Sequence, residues 1–186
     1  PQLHDSSVAG NSMEKPNGVW RRSLDVQASI FASQNISNLD TWPSWNSSAQ
    51  RVLSPSNGQL QLDQRFDLHR IERQRLVEEL WAVTGLRSGA SPHFVEIEFS
   101  WLGQQREQKP VGTALRSLRM TVTILCEDEG GIEIAAWWNV AWWAKPMSGR
   151  VHAQAKAFAQ QWLEDLAQKG TVQFEPSRPM HFVEEE

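Results

Sequence analysis

Two stretches of this sequence alternate so regularly between apolar and polar residues that they restrict the fold more than any other feature. The apolar phase consists of Val95, Ile97, Phe99 and Trp101 in residues 93–101, and of Leu118, Met120, Val122, Ile124 and Cys126 in the second stretch. Successive side chains of a strand point to opposite faces of a sheet. The pattern therefore predicts two strands that each have one buried face and one face towards water.

A third strand is predicted at residues 132–144, directly after a hairpin turn. The turn is Glu127-Asp128-Glu129-Gly130-Gly131, in which two glycines supply positive φ angles at little cost. The same thirteen residues also fit a helix, in which Trp138 and Trp142 would lie one turn apart. The sequence leaves strand and helix open here.

Helical spacing of apolar residues predicts two helices and leaves short strands at either side of them. Leu76, Val77, Leu80, Trp81 and Val83 place a helix at residues 66–84, and Val151, Ala155, Phe158, Ala159, Trp162 and Leu166 place another at 149–168. Ser148 is suited to begin the second helix and Gly170 to end it. Residues 59–64 and 171–175 are predicted to be short strands.

This order of elements predicts an α+β fold in which an antiparallel sheet carries its helices on one face. A ferredoxin-like sandwich with one added strand fits the order, and a helix-grip arrangement, with the late helix across a curved sheet, fits it too. Residues 1–18 are expected to be a flexible tail, 19–55 a poorly defined helical or irregular segment, and 56–186 the α+β domain. We expect 19–55 and 56–186 to form one structural domain.

Composition and motifs narrow the classes of function. The formal net charge of -4 argues against a protein that binds nucleic acid through a basic field. No apolar run is long enough for a membrane span, and one cysteine excludes an internal disulfide framework. The phosphate-loop, dinucleotide, HExxH, CxxC and GxSxG motifs are absent, so we expect no cofactor, no metal and no motif-bearing enzyme.

The side chains that could carry chemistry are better explained by structure. Cys126 lies in the apolar phase of its strand, where a thiol behaves as a small inert side chain. Glu96 and Glu98 share the polar phase of theirs, and Glu133 is expected on a neighbouring strand, so the three are weak candidates for an acid/base cluster. The simpler interpretation is a solvated face that Arg119 neutralises across the sheet.

Tryptophan usage is the distinctive feature of the chain, which has ten Trp and no Tyr. As a strand, residues 132–144 would place Trp138 and Trp142 on one face and Trp137 and Trp143 on the other, around Asn139. Three explanations remain open: a central strand between two layers, an exposed anchor for a protein partner, and an aromatic platform for a ligand. Trp20, Trp42 and Trp45 of the N-terminal segment could supply the second layer of the first explanation.

Two functions from different classes follow. The first is a non-enzymatic protein–protein interaction or assembly domain that binds a partner or itself. Its shape resembles domains of bacterial envelope assembly machines, an analogy of architecture that favours the envelope over the cytoplasm. The alternative is a small-molecule or carbohydrate binding module with a cavity between the long helix and the sheet. Trp162, Phe158 and one face of residues 132–144 would line that cavity, and a volume of roughly 300 Å³ or more would favour it.

Overall fold

The computed structural model describes residues 14–55, 58–72, 74–107 and 109–173. Within these ranges the chain forms one antiparallel sheet of eight strands. The strands are β1 (Gly18–Ser23), β2 (Ala49–Leu53), β3 (Arg65–Glu72), β4 (Arg75–Ala90), β5 (His93–Arg106), β6 (Lys109–Val111), β7 (Leu115–Leu125) and β8 (Gly131–Val140). Their order across the sheet is β1-β8-β7-β5-β4-β3-β2, and the short β6 pairs with β5.

Three α-helices accompany the sheet within the described ranges. They are α1 (Val26–Ile36), α2 (Trp42–Trp45) and α3 (Ser148–Gln168). The carboxylate of Asp25 caps α1 by accepting a hydrogen bond of 2.8 Å from the backbone N–H of Ala28. Pro43 lies in the first turn of α2, where its missing N–H costs no hydrogen bond. None of the helices in the described ranges is long and apolar enough to cross a membrane.

The predicted fold class is confirmed, in its helix-grip form. The long helix α3 packs against β1, β7 and β8, and α1 contacts the same part of the sheet and α3. The first strand, β1, pairs with the last strand, β8, so strands that are far apart in sequence lie side by side in one sheet. Residues 19–55, predicted to be helical or irregular, contain most of β1 and all of β2 in addition to α1 and α2.

The predicted helix at 66–84 is wrong, because these residues form most of the hairpin of β3 and β4. Phe66 pairs with Trp81 and Leu68 pairs with Glu79. The side chains of these paired residues all point towards the core. Charged side chains occupy inward positions here, which hides the alternation of a strand. The turn before Arg75 contains Gln74 at a φ of 63°, without a glycine that could have marked it.

Three other predicted strands differ in extent. The strand at 132–144 ends at Val140, because its partner strand begins at Leu115, the residue that pairs with Val140. Residues Trp142–Met147 instead form a 3-10 turn that leads into α3. Residues 59–64 make only an isolated bridge between Gln59 and Asn38, and Thr171–Gln173 are not a strand. Residues 174 and 175 lie outside the described ranges.

The core lies between the helices and the inner face of the sheet. The two strands predicted from alternating residues, β5 and β7, turn their apolar side chains inwards as expected. Ile97 and Phe99 on β5, and Met120 and Ile124 on β7, are fully buried. Trp42 of α2 packs in a T-shaped contact with Trp162 of α3, with ring centroids 5.0 Å apart. Trp42 and Trp45 therefore belong to the layer of α3 on the inner side of the sheet, and Trp20 lies on β1 of the sheet itself, so these three residues do not form the predicted second layer.

Candidate functional site

An aromatic row crosses the inner face of the sheet. The strand register places Phe66, Trp81, Trp101, Leu118 and Trp138 side by side on five neighbouring strands, from β3 to β8. We refer to these five residues as the aromatic row. All five are buried. Cross-strand aromatic pairs stabilise a sheet and present a flat apolar surface to whatever lies above it.

Helix α3 covers this row without filling the space above it. Its inward stripe consists of Val151, Ala155, Phe158 and Trp162, in which the small Ala155 leaves a gap below the helix. Because α3 packs against β1, β7 and β8, the gap widens towards β3, β4 and β5. A cavity of about 590 Å³ results. This volume lies within the range of binding sites for small molecules.

One end of the cavity is charged. Arg70 of β3 donates a hydrogen bond through Nη2 to Oε1 of Glu79 at 2.8 Å, and the same nitrogen lies 3.2 Å from Oε2 of Glu72. The second oxygen of Glu79 accepts a hydrogen bond of 3.1 Å from Nε1 of Trp81. The guanidinium also lies over the ring of Phe158, 5.2 Å from its centroid. The charged cluster and the aromatic lining are therefore in direct contact.

Burial sets the electrostatics of this charged end. The side chain of Glu79 is 4% exposed and that of Arg70 is 12% exposed, whereas that of Glu72 is 37% exposed and partly open to water. Burial acts to lower the pKa of Arg70, but the charges and hydrogen bonds of Glu79 and then Glu72 outweigh it and raise that pKa. Arg70 is therefore a cation at neutral pH, held between two carboxylates.

The structure places two of the predicted ligand residues at the cavity. Phe158 and Trp162 line it, together with Trp81, which stacks on Phe158 at an interplanar angle of 12°. No residue of 132–144 lines the cavity, contrary to the expectation for one face of that segment. The physical reason is that α3 packs directly on β8. Trp138 Nε1 donates a hydrogen bond of 2.8 Å to Nδ1 of His152 on α3, which closes this side.

The other tryptophans of the predicted cluster lie outside the cavity. Trp137 is on the outer face of the sheet, where its ring stacks under the guanidinium of Arg119 at 4.4 Å. Asn139, also on the outer face, donates a hydrogen bond of 3.1 Å to the hydroxyl of Ser117. Trp142 and Trp143 lie in the turn before α3 and are 80% and 51% exposed. The cluster thus divides into a buried, a stacked and an exposed part.

The three acidic candidates are separate from one another and paired with arginine. Glu96 accepts hydrogen bonds from Arg87, Glu133 from Arg21, and Glu98 forms an ion pair of 3.8 Å with Arg119. All three lie on the outer face of the sheet, away from the cavity. The geometry corresponds to the solvated face that the sequence favoured over an acid/base cluster.

Cys126 is buried at the end of the inward phase of β7. Burial raises the pKa of its thiol, although a hydrogen bond with Ser33 acts in the opposite direction. A thiol with this surrounding is a poor nucleophile at neutral pH. In the described part of the chain, no three His, Cys, Asp or Glu side chains converge as metal ligands would.

Sequence reasoning did not select the charged residues of the cavity, Arg70, Glu72 and Glu79. Each occupies an inward position of β3 or β4, where a charged side chain interrupts an apolar phase. That interruption is the signal that could have identified them, once the segment is recognised as a hairpin. Trp81 and Trp101 had been assigned to apolar faces, but their pairing across the sheet depends on register, which the pattern does not give.

Comparisons with known proteins agree with this architecture. No protein-family model matches the chain, and no curated protein does. Among solved structures, Ara h 8.0201 is 12% identical with a TM-score of 0.56, covering 81% of this chain and 95% of its own. A hypothetical protein of Helicobacter pylori is 14% identical with a TM-score of 0.58, covering 84% and 89%.

A third solved structure is the di-domain ARO/CYC protein BexL of the BE-7585A biosynthetic pathway. It is 7% identical with a TM-score of 0.58, and the match covers 82% of this chain but 45% of BexL. Identities this low establish a likeness of fold. The chain has the helix-grip fold, an antiparallel sheet that wraps around a long C-terminal helix.

Proposed function

We propose that this chain is a non-catalytic binding protein for a small, ring-containing, largely apolar molecule held between α3 and the sheet. The observation that carries the proposal is the cavity of about 590 Å³, lined by Trp81, Trp101, Phe158 and Trp162, by the charged cluster at one end and by further polar side chains such as Gln104, Thr113 and Gln154. Sites for small molecules in proteins have this composition. The similar solved structures share the fold that forms this cavity. Because their sequence identity is low, they support the proposal through the fold alone.

The absence of an assembled catalytic group among the described cavity residues favours binding over catalysis. Arg70 and Glu79 are held by each other, and Cys126, Glu96, Glu98 and Glu133 do not line the cavity. General acid/base catalysis needs a titrating group within reach of the substrate. At the charged end of the cavity, Arg70 is bonded to both Glu79 and Glu72.

The proposal is tested by titrating the protein with N-phenyl-1-naphthylamine, an uncharged probe whose fluorescence rises in apolar surroundings. We expect saturable binding of one probe per chain with a Kd on the order of 10 μM. Energy transfer from Trp81, Trp101 or Trp162 to the probe should accompany binding, because these indoles line the cavity. Non-saturable fluorescence would indicate adsorption to the surface and would contradict the proposal.

A matched pair of variants on α3 locates the probe. Ala155 lines the cavity and Ala153, on the same helix, is exposed. Ala155→Phe fills the space with a ring and should weaken probe binding at least about tenfold, a loss of ~1.4 kcal/mol. Ala153→Phe should leave the affinity unchanged. Circular dichroism and the melting temperature establish that both variants keep the fold, and equal affinities in the two would place the probe elsewhere.

The second candidate function is a protein-interaction surface, here self-association, and the exposure of Trp142 and Trp143 favours it. Adjacent exposed tryptophans are uncommon on a surface without a partner, and Trp is enriched among residues that dominate interfaces. Sedimentation of the wild-type chain between about 1 and 200 μM, a span that brackets weak dimers, should then show a dimer. Trp142→Ser/Trp143→Ser should shift the protein to monomer, and a wild-type monomer throughout would exclude self-association.

A further inference from the structure

The charged end of the cavity has an excess of negative charge. Among the described residues that line it, Arg70 is the one cation, and it faces two carboxylates, those of Glu72 and Glu79. One nitrogen of Arg70, Nη2, donates to both of them. An arginine in an apolar cavity is usually an anchor for an anion. Here the protein already supplies both anions.

This arrangement makes a ligand carboxylate unfavourable. It would have to approach Arg70 beside two like charges, one of them almost completely buried. It would also lose its hydration on entering a space lined by Trp81, Trp101 and Phe158. An uncharged polar group meets no like charge there and loses much less hydration than a carboxylate.

The hydrogen-bonding groups that remain define that polar group more closely. Nε of Arg70 is buried without a partner and out of reach of a ligand, so the donor that remains is Nη1, to which no described residue bonds. Oε1 of Glu72 accepts no bond from the described residues and remains available as an acceptor. A hydroxyl group is small and uncharged, and its single oxygen can accept one hydrogen bond and donate another.

We propose, on the basis of the binding function above, that the cavity selects uncharged ring-containing molecules with a hydroxyl group directed at Arg70 and Glu72, and that it discriminates against carboxylates. The rings lie over the part of the aromatic row formed by Trp81 and Trp101. The hydroxyl group lies at the charged end, where Glu72 is partly open to water.

Three naphthalenes of similar size test the inference by displacing N-phenyl-1-naphthylamine at pH 7. They are 2-naphthalenemethanol, 2-methylnaphthalene and 2-naphthoate. We expect the alcohol to bind at least about tenfold more tightly than the carboxylate, and about threefold more tightly than the hydrocarbon once water–octanol partition is taken into account. A carboxylate that equals or exceeds the alcohol would overturn the inference.

A variant of the charged end supplies the second measurement. Glu72→Gln removes one carboxylate at a partly exposed position and should raise the ratio of the affinity for 2-naphthoate to that for 2-naphthalenemethanol about fivefold or more. Glu78→Gln on β4 makes the same change in charge outside the cavity lining and should leave the ratio unaltered. An unchanged ratio in Glu72→Gln would overturn the inference as well.

The outcomes separate this inference from the function on which it rests. Binding of the probe and of all three naphthalenes without preference would leave a binding protein whose charged end does not select. No binding of any of the four would overturn the binding function, and the inference with it.

Discussion

Glu79 places a carboxylate in the interior of the protein, 4% exposed. Both carboxylate oxygens are used, one by Arg70 at 2.8 Å and one by Trp81 at 3.1 Å. A carboxylate removed from water is tolerated when its partners replace the lost hydration. The arginine has the same requirement, and its Nε remains unsatisfied. The pair therefore contributes less to stability than the loss of either member would cost.

Arg70→Met should consequently destabilise the chain by about 3–5 kcal/mol, because it leaves Glu79 charged and buried without its cation. The measurement is the free energy of unfolding from urea titration. The double variant Arg70→Met/Glu79→Gln should recover part of the loss, since an amide can still accept the hydrogen bond of Trp81 and carries no charge. A single variant that costs less than ~1 kcal/mol would show that water reaches Glu79.

At the scale of elements, β7 and the turn after it were predictable from local pattern, whereas β8 was left open between strand and helix. Alternation on β7, charged residues at the turn and two glycines indicate a hairpin, but β8 has apolar side chains in both of its phases. Gly131 has a φ of 149°, and a Cβ added there would lie 2.1 Å from the carbonyl oxygen of Arg22 on β1. The glycine is thus required by the close approach of β1 as well as by the turn.

Gly131→Ala should therefore destabilise the fold by about 2–3 kcal/mol through strained backbone and displacement of β1. Gly149→Ala is the matched control, because nothing lies within 4 Å of a Cβ added at Gly149 in the first turn of α3. It should change the free energy of unfolding by less than about 1 kcal/mol, in the stabilising direction. Equal effects of the two variants would refute the role assigned to β1.

The hairpin of β3 and β4 was not predictable for a reason that concerns the site. Arg70 and Glu79 point inwards, and at the same time Asp67 with Arg70, and Arg75 with Glu79, have the spacing of ion pairs on a helix. The residues that make the cavity polar are thus the ones that conceal the strand. A local pattern fails where side chains serve a purpose other than packing.

At the scale of the whole molecule, the cavity arises from the distance between α3 and strands that are remote in sequence. Phe158 and Trp162 could be selected from the helical stripe alone, since any helix on this sheet would bury them. The volume of the cavity beside them could not be predicted in this way, because it depends on how far the sheet curves away from α3 between β8 and β3. That curvature comes from register shifts, such as those after Leu80 and Val83, which periodicity does not reveal.

The order of strands has a consequence for aggregation. The sheet is open, and β1 forms one of its two edges, with the exposed and charged Arg21 and Arg22 on it. The neighbour of this edge strand is β8, ten residues rich in isoleucine, alanine and tryptophan. A chain that lost β1, by proteolysis or by truncation after Ser23, would present the backbone of β8 as a template for pairing with another copy. The six residues of β1 thus occupy the edge of β8 at which another copy could otherwise pair.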